Sequence, residues 1–527
     1  MNALIAALHD PRAYPHPTNG VALEETHISW VLLTGTYAYK IKKPVNFGFV
    51  DFSSLERRRH FCKEELRLNS RLAPEIYLDL VEIHGPLEQA NLRGQGPVIE
   101  VAVRMHQFDR DGLLPKDLDE GLITGEQLET FATRLALFHG AAEIAPAQGP
   151  YGTPQAVMAA AAANLDVLMR LDPLRGSLKR LREWTDQEGE RLEGLFNTRL
   201  GQGRVREGHG DLHLGNLVLH QGSVVGFDCL EFNPSLRWID VISDVAFLAM
   251  DLEQRGELLL ARRMLNHWLI SSGDYGSLSA WQWYLTYRAL VRAKVLALRL
   301  EQMNGPGSKG QETLRKQQGG YIAQAIASCT PSALGALVLM HGVTGSGKSH
   351  IALELCQRHG WMHLRSDVER RRLFGRWGTQ MSPLCHGDAY APAISAELYD
   401  TILPTAAEAV VLAGLTVVVD ATFLRRHQRE RFRELANQLQ IPLLILSGPV
   451  SLEVATERIA KRRALGRDPS EADGSVLISQ WQTCEALESS EGDLQIAALT
   501  TEAVERDLQD HVPRILRTIP GSPPRPC

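Results

Sequence analysis

Residues 342–349 read GVTGSGKS, and an apolar run, ALVLMH at 336–341, stands directly before them. No other segment limits so strongly what this chain can fold into. Gly342, Gly345 and Gly347 allow the backbone to wrap closely, so that the N–H groups of the loop, Val343, Thr344 and Ser346 included, point at phosphate oxygens. Lys348 is placed to reach the β- and γ-phosphates, and the Ser349 hydroxyl to hold Mg²⁺. The pattern requires a strand before the loop and a helix after it, and it predicts a helix over 348–358 whose N-terminus favours an anion. Further apolar runs at 362–364, 415–419 (LTVVV) and 442–446 (PLLIL) alternate with helical segments. Such alternation predicts an α/β region with a parallel sheet.

At 527 residues the chain is too long for one ordinary core. Its 44% hydrophobic and 22% charged content are globular values. Lys plus Arg number 56 against 62 Asp plus Glu, so the balance gives no general reason to expect a nucleic-acid or membrane binder. Seven scattered cysteines form no C-x-x-C pair, which fits a reducing compartment better than a disulfide framework. The first residues lack a basic n-region and no run of about 18 apolar residues occurs, so a soluble, cytoplasmic protein is expected.

Ahead of the α/β region lies a different pattern. Residues 28–33 and 37–42 are rich in β-branched and aromatic side chains and are separated by Thr34-Gly35-Thr36, which predicts a hairpin. A helix is predicted over 54–72 and strands at 76–83 and 98–105. Mostly helical sequence follows from 126 to 200, then short strands at 217–220 and 223–227. Helices are predicted from 239 to about 302. Glycine- and proline-containing sequence at 303–335 reads as a linker, with helix persisting at 311–328. The expected division is therefore 1–330, 331–518 and a disordered tail, 519–527.

Between those two late strands and the helical run stands HGDLHLGN, residues 209–216. A kinase must take a proton from an acceptor hydroxyl and neutralise nucleotide phosphates with Mg²⁺. The protein-kinase solution sets an Asp and an Asn on one loop and a second Asp on a nearby strand. Asp211 and Asn216 have that spacing, and Val225-Gly226-Phe227-Asp228 ends the next strand pair. Asp211 is the candidate base; Asn216 and Asp228 are the candidate metal ligands.

H-G-D-x-x-x-x-N followed by F-D resembles the aminoglycoside phosphotransferase-like branch of the protein-kinase-like fold, which also holds choline and homoserine kinases. Leu135-Ala136-x-Phe138-His139 resembles its L-A-x-x-H helix, and Asp244-Val245-Ala246 its D-L-A helix start. The resemblance covers roughly 25–300 and implies an α+β domain. It also implies a strand lysine for the nucleotide phosphates and a helix glutamate to hold it. Lys40 in Tyr37-Ala38-Tyr39-Lys40 fits, with Lys42 on the same strand face as the alternative. Glu65 is the favoured partner and Glu64 the alternate. A long Gly-rich phosphate loop is missing.

The region 335–490 resembles the small P-loop kinases near gluconate kinase, zeta toxin and the kinase domain of polynucleotide kinase. The residues that carry this are GVTGSGKS, RSDVERRRL, VVVDATF, and ERIAKRR ahead of DPSEAD. Asp420, closing LTVVV, stands where a strand delivers an acid to the metal. The resemblance gives Asp367 the acceptor hydroxyl. Arg458 and Arg462, four apart on one helix, can close over transferred phosphate. Motor ATPases of the AAA type carry sensor motifs that are not found here.

The sequence thus predicts an α+β protein-kinase-like domain followed by an α/β P-loop domain with a parallel sheet. Each carries its own phosphate and metal residues for ATP and Mg²⁺. The expected partner is a small hydroxyl-bearing molecule. Two alternatives are an N-terminal pseudokinase that regulates the second domain, and a nucleic-acid end kinase with ERIAKRRALGR as its phosphate-contacting patch.

Overall fold

The computed structural model describes residues 3–48, 50–108, 112–146, 148–172, 176–303, 309–330, 333–379, 384–448, 450–465, 470, 472–488 and 491. The expected tail, 519–527, lies outside them. The chain forms two compact units, residues 1–159 with 196–251, and residues 160–195 with 252–527.

In the first unit β1 (Ala22–Glu25), β2 (Ser29–Leu33), β3 (Tyr37–Lys42), β4 (Tyr77–His84) and β5 (Val98–His106) form a five-stranded sheet ordered β1-β2-β3-β5-β4. All its pairs are antiparallel. Because strand side chains alternate, β3 serves two cores. Tyr39 and Ile41 pack with Leu4, Ile5 and Leu8 of the helix Ala3–Leu8. Ala38 packs on the opposite face with Cys62 of the helix Leu55–Asn69. Lys40 and Lys42 share the face of Ala38, so the strand directs both toward that helix.

Two short pairs frame the HGDLHLGN loop. Antiparallel β6 (Val205–Glu207) and β9 (Trp238–Asp240) stand on one side. On the other, β7 (Leu217–His220) and β8 (Ser223–Gly226) form a hairpin. Gln221 and Gly222 both have positive φ, the backbone that a two-residue turn needs to match strand twist.

In the second unit β10 (Leu337–His341), β11 (Met362–Arg365), β12 (Val417–Asp420) and β13 (Leu443–Ser447) form a parallel sheet ordered β11-β12-β10-β13. The strands are buried on both faces, which explains their continuous apolar runs. Ile351, Ala352, Leu355 and Cys356 of the helix Lys348–His359 form a core with Val338 and Met340. The four helical positions form one stripe, as 3.6-residue periodicity requires.

This division differs from the one near residue 330 that the sequence suggests, for two physical reasons. First, the helix Leu258–Ser272 is bonded directly to the parallel sheet region. The His363 N–H donates to Asn266 Oδ1 at 2.8 Å, and Arg372 Nη2 and Trp377 Nε1 donate to the Ile270 carbonyl at 2.6 and 3.0 Å. Second, the helix Lys309–Cys329 packs along the helix Trp281–Gln302. Ile322 and Ala325 are buried there, and the Arg292 guanidinium lies 5.7 Å from the Tyr321 ring centroid. Packing that helix removes most of the slack expected of a linker.

A substitution separates the two cases. Ile322 is 1% exposed. Ile322→Ala removes buried methylenes from a packed interface and is expected to destabilise its unit by roughly 2–4 kcal/mol. In a linker the change would stay within about 0.5 kcal/mol. Urea unfolding of the full chain and the variant measures the difference.

Candidate functional site

The HGDLHLGN loop is held from beneath. Asp244, fully buried at the start of the helix Val241–Gln254, accepts hydrogen bonds from the His209 N–H at 2.7 Å and the Gly210 N–H at 2.9 Å. The His139 ring contacts the same carboxylate at 3.4 Å. Gly210 has φ +85°, and a Cβ there would sit 2.6 Å from the Leu236 carbonyl oxygen, so the loop cannot take this path with a side chain. His209 Nδ1 accepts the Asp211 N–H at 3.3 Å while Nε2 faces the Phe227 carbonyl at 2.9 Å. That pairing needs the proton on Nε2, and burial favours the neutral ring by lowering its pKa. The backbone on both sides of Asp211 is thereby fixed.

Asn216 Nδ2 donates to the Asp211 carboxylate at 3.1 Å and to its carbonyl at 2.9 Å. The Asn216 amide oxygen is left available as a metal donor. Asp211 keeps 31% of its side chain exposed and Asp228 43%, so both face open space. Asp228 has φ +64°, an uncommon conformation for a residue with a Cβ. Such strain persists where surroundings impose it. Here the Asp228 N–H donates to the Tyr77 hydroxyl at 3.2 Å and Lys40 Nζ donates to its carboxylate at 2.6 Å.

Lys40 and Lys42 both take part. Lys40 Nζ lies 2.7 Å from Glu65 Oε1, and Lys42 Nζ lies 2.7 Å from Glu65 Oε2. Lys42 also pairs with Glu231. The result is an alternating chain of charge, Asp228, Lys40, Glu65, Lys42, Glu231. Lys42 is fully buried, whereas Lys40 retains 14% exposure beside Asp228. Lys40 is therefore the member that can reach a ligand, and Lys42 is internal. Burial works against the Glu65 charge, but the two lysines hold its pKa below the ordinary value. Burial raises the pKa of Glu231. Glu64 turns away to Arg67, at 2.9 Å. Glu231 and Tyr77 escape motif reading. Glu231 lies three residues past Asp228 with no signature of its own, and Tyr77 reaches Asp228 from a distant strand.

In the second unit one cavity of about 320 Å³ is lined by Gly345, Gly347, Lys348 and Ser349 of the loop. Asp367, Asp420, Arg458 and Arg462 line it too. The sequence separates these residues by more than a hundred positions; the parallel sheet gathers them at its C-terminal edge, where open α/β sheets bind ligands. Gly345 has φ +80°, and a Cβ there would lie 2.6 Å from the Ala455 carbonyl oxygen. Gly342, with its φ of +138°, opens the loop, and the Thr344 N–H donates to Gln480 Oε1 at 2.7 Å. Val343 packs with Leu424, Ala455 and Ile459. Lys348 Nζ donates to the Val343 carbonyl at 2.8 Å and to Ser346 Oγ at 3.3 Å.

Asp420 ends β12 beside Arg365 of β11. His363 Nε2 lies 3.2 Å from its carboxylate and Arg365 Nε 3.5 Å. Burial opposes ionisation, but the His363 contact holds the Asp420 pKa down to about 2. Asp367 opens the helix Ser366–Leu373, and burial raises its pKa. Arg458 Nη1 donates to the Ser346 carbonyl at 3.0 Å, and Arg462 Nη2 to the Ala472 carbonyl at 2.8 Å. Both lie on the helix Leu452–Leu465 and line the cavity, Arg458 against the loop itself. Of the stretch DPSEAD, residues 468, 469 and 471 lie outside the described residues. His363 and Arg370 belong to the site but carry no motif of their own.

Oxygen donors dominate both candidate metal positions, Asp228 with Asn216 and Asp420 with Ser349, as a hard cation requires. No cluster of three or more His, Cys, Asp or Glu able to hold a metal occurs among the described residues.

The sequence model of a family described as "AAA domain" matches residues 337–487. Uncharacterised proteins of Mycobacterium tuberculosis and Mycobacterium bovis are each 29% identical over 470 residues, 88% of this chain and 91% of theirs. Among solved structures, an unliganded sugar kinase from Janibacter is 24% identical with a TM-score of 0.26, over 34% of this chain and 98% of its own. The GDP complex of an aminoglycoside 2'-phosphotransferase is 15% identical with a TM-score of 0.37, over 61% of this chain and 99% of its own. The parallel sheet and the glycine loop of the second unit agree with the family match over residues 337–487. No described helix is long and apolar enough to cross a membrane.

The state of Lys348 gives a pH-dependent expectation. Burial lowers its pKa to about 8, with Asp420 and Asp367 opposing the shift. Without ligand the ammonium is therefore lost as pH rises through that value. Bound phosphate restores the charge, so nucleotide binding about half a unit above it takes up a sizeable fraction of a proton. Calorimetry of ATP binding in two buffers of different ionisation enthalpy should show a difference in apparent enthalpy. Lys348→Met should abolish the loop's share of that difference.

Proposed function

We propose that the chain is a bifunctional ATP-dependent phosphotransferase. Each unit transfers the γ-phosphoryl group of ATP to a hydroxyl of a small-molecule acceptor. One observation carries this: each unit holds a complete set of phosphate-side, metal-side and acceptor-side residues, and no residue is needed in both. Asp211, Asn216, Asp228, Lys40 and Glu65 all lie in the first unit; Gly342–Ser349, Asp367 and Asp420 all lie in the second.

In the first unit Asp211 accepts the acceptor's hydroxyl proton as its oxygen bonds to the γ-phosphorus. The bond from that phosphorus to the β-phosphate bridging oxygen breaks, and ADP departs. Lys40 turns from Asp228 toward the α- and β-phosphates while Glu65 keeps its ammonium in place. In the second unit Asp367 receives the hydroxyl proton. Its raised pKa suits a group that must be protonated during turnover. Loop N–H groups, Lys348, Arg458 and Arg462 neutralise charge that develops on the phosphoryl oxygens. Mg²⁺, held by Asn216 and Asp228 in one unit and by Ser349 and Asp420 in the other, would neutralise phosphate charge. All six described cysteines are thiols, which suits a reducing, cytoplasmic setting.

The test is transfer from γ-labelled ATP by the full chain, screened over sugars, amino alcohols, aminoglycosides and oligonucleotide ends. Asp211→Ala should lower transfer to one acceptor class by about 10²–10⁴. Lys348→Ala should lower transfer to another and spare the first. Loss of all transfer in Lys348→Ala, with none in Asp211→Ala, would make the first unit a non-catalytic regulator. Labelling confined to oligonucleotide ends, and weakened steeply by salt, would replace the small-molecule acceptor of the second unit with a nucleic acid.

A further inference from the structure

In the second unit two backbone irregularities converge on one pair of hydroxyls. Past the helix Pro392–Glu397, residues Leu398–Ile402 form a single wider turn before the helix Leu403–Leu412 begins. The Leu403 N–H donates to the Leu398 carbonyl, five residues back rather than four. Pro404 helps to open this turn: it has no N–H for the Asp400 carbonyl, which Arg431 Nε reaches instead at 3.4 Å. The second irregularity is Phe423, buried and at φ +46°, a conformation that bulky residues avoid. Its ring packs edge-on against Tyr399 at 5.5 Å and against Phe432 at 5.2 Å between centroids. Wide turns and strained residues gather at functional sites, where the surroundings hold them in place.

The pair they hold is Tyr399 and Thr422, and both line the P-loop cavity. Tyr399 Oη lies 3.0 Å from Thr422 Oγ1 and accepts the Thr422 N–H at 3.2 Å. The Thr422 carbonyl in turn accepts the Gly342 N–H at 3.1 Å, which ties the pair to the start of the loop. Two hydroxyls bring two protons, and their mutual contact uses one. The backbone N–H occupies a lone pair and no proton. One O–H is therefore left to donate, whichever partner donates in the contact. Burial raises the Tyr399 pKa, so the phenol keeps its proton. Sheet order places this donor. β12 lies between β11, which leads into Asp367, and β10, which leads into the loop. Thr422 follows β12 by two residues, so the pair stands between the acceptor side and the nucleotide side.

We propose that the Tyr399–Thr422 hydroxyl pair is a catalytic donor of the P-loop unit, giving its one outward O–H to an oxygen of the phosphoryl group in transit. This rests on the phosphotransferase reading of that site. As the acceptor oxygen bonds to the γ-phosphorus and the bond to the ADP oxygen breaks, the acceptor's proton goes to Asp367. The pair's proton stays on its own oxygen and offsets charge on the phosphoryl oxygens. Lys348 and the loop N–H groups meet the phosphoryl group from the nucleotide side, and the pair meets it from the end of β12.

The experiment is calorimetric binding of ADP with Mg²⁺ to the full chain, with and without aluminium fluoride, a stand-in for the phosphoryl group in transit. Lys348→Met identifies the P-loop unit's share, since the first unit keeps its own nucleotide residues. Tyr399→Phe combined with Thr422→Val removes both hydroxyls at nearly constant shape. This double variant should bind ADP within about twofold of the unaltered chain but lose about ten- to hundredfold in affinity for ADP with aluminium fluoride. Each single change leaves one hydroxyl proton to donate and should cost less than about tenfold, so the double change should cost more than the product of the two. Thr422→Ser keeps the hydroxyl and should bind like the unaltered chain. Equal loss of ADP and of ADP with aluminium fluoride would make the pair structural, and an unimpaired double variant would overturn the proposal outright. No gain from aluminium fluoride at the P-loop of the unaltered chain would sink the phosphotransferase reading and the proposal with it, a result distinct from both of the others.

Discussion

Glu65 lies in the interior between two ammonium groups, and the first unit is arranged around that contact. A carboxylate so enclosed could not remain charged unless cations met it on both sides, because burial alone would drive it to protonate. Lys40 and Lys42 meet it because β3 places them two residues apart on one face. Asp228 and Glu231 then cap the two ends of the row. The row carries one more negative charge than positive, and Asp228 holds its exposed end. A cation or a cluster of donors is what that end lacks. Replacing Lys42 would leave Glu231 buried without its partner, an error far more serious than loss of one surface ion pair.

The second unit solves the phosphate problem with backbone. Its loop depends on conformations that only glycine adopts cheaply, and on Ala455 pressing close against Gly345. Side chains contribute the remaining charge: Lys348 and Arg458 lean on loop carbonyls that also need partners. The two units therefore meet one electrostatic demand by opposite means. One uses an ion-pair row on a sheet, the other a ring of peptide dipoles at a helix start.

Much of this was legible in the residues. Strands 37–42 and 217–220 carry enough β-branched and aromatic character to show without tertiary help, and the GVTGSGKS segment specifies strand, loop and helix together. The choice between Lys40 and Lys42 was not legible, since alternation alone makes them equivalent; only burial separates the one beside Asp228 from the one against Glu231. Strands β1, β6 and β9 escaped because charged residues interrupt their short runs: Glu24 and Glu25, Arg206 and Glu207, and Asp240. The helix expected at 311–328 within the 303–335 linker is present as Lys309–Cys329, but Gly310, Gly319 and Gly320 weaken its signal and hid its packing. Packing of Leu314, Ile322 and Ala325 outweighs that low propensity. Arg370 could not be singled out among four consecutive charged residues, Glu369 to Arg372, until its partners were known.

The bond from the His363 N–H to Asn266 has a consequence for how such a chain survives in a crowded solution. β11 is the outermost strand of its sheet, and an outermost strand offers unpaired peptide groups to any extended segment that drifts by. Here a side-chain amide takes up one of those groups and the helix Leu258–Ser272 stands over that side. The arrangement is a guard against β-pairing between molecules. It also means that the helices before the P-loop region shield it as well as belonging to its core. Shortening the chain from that side would uncover a sticky rim before it disturbed any residue of the nucleotide pocket.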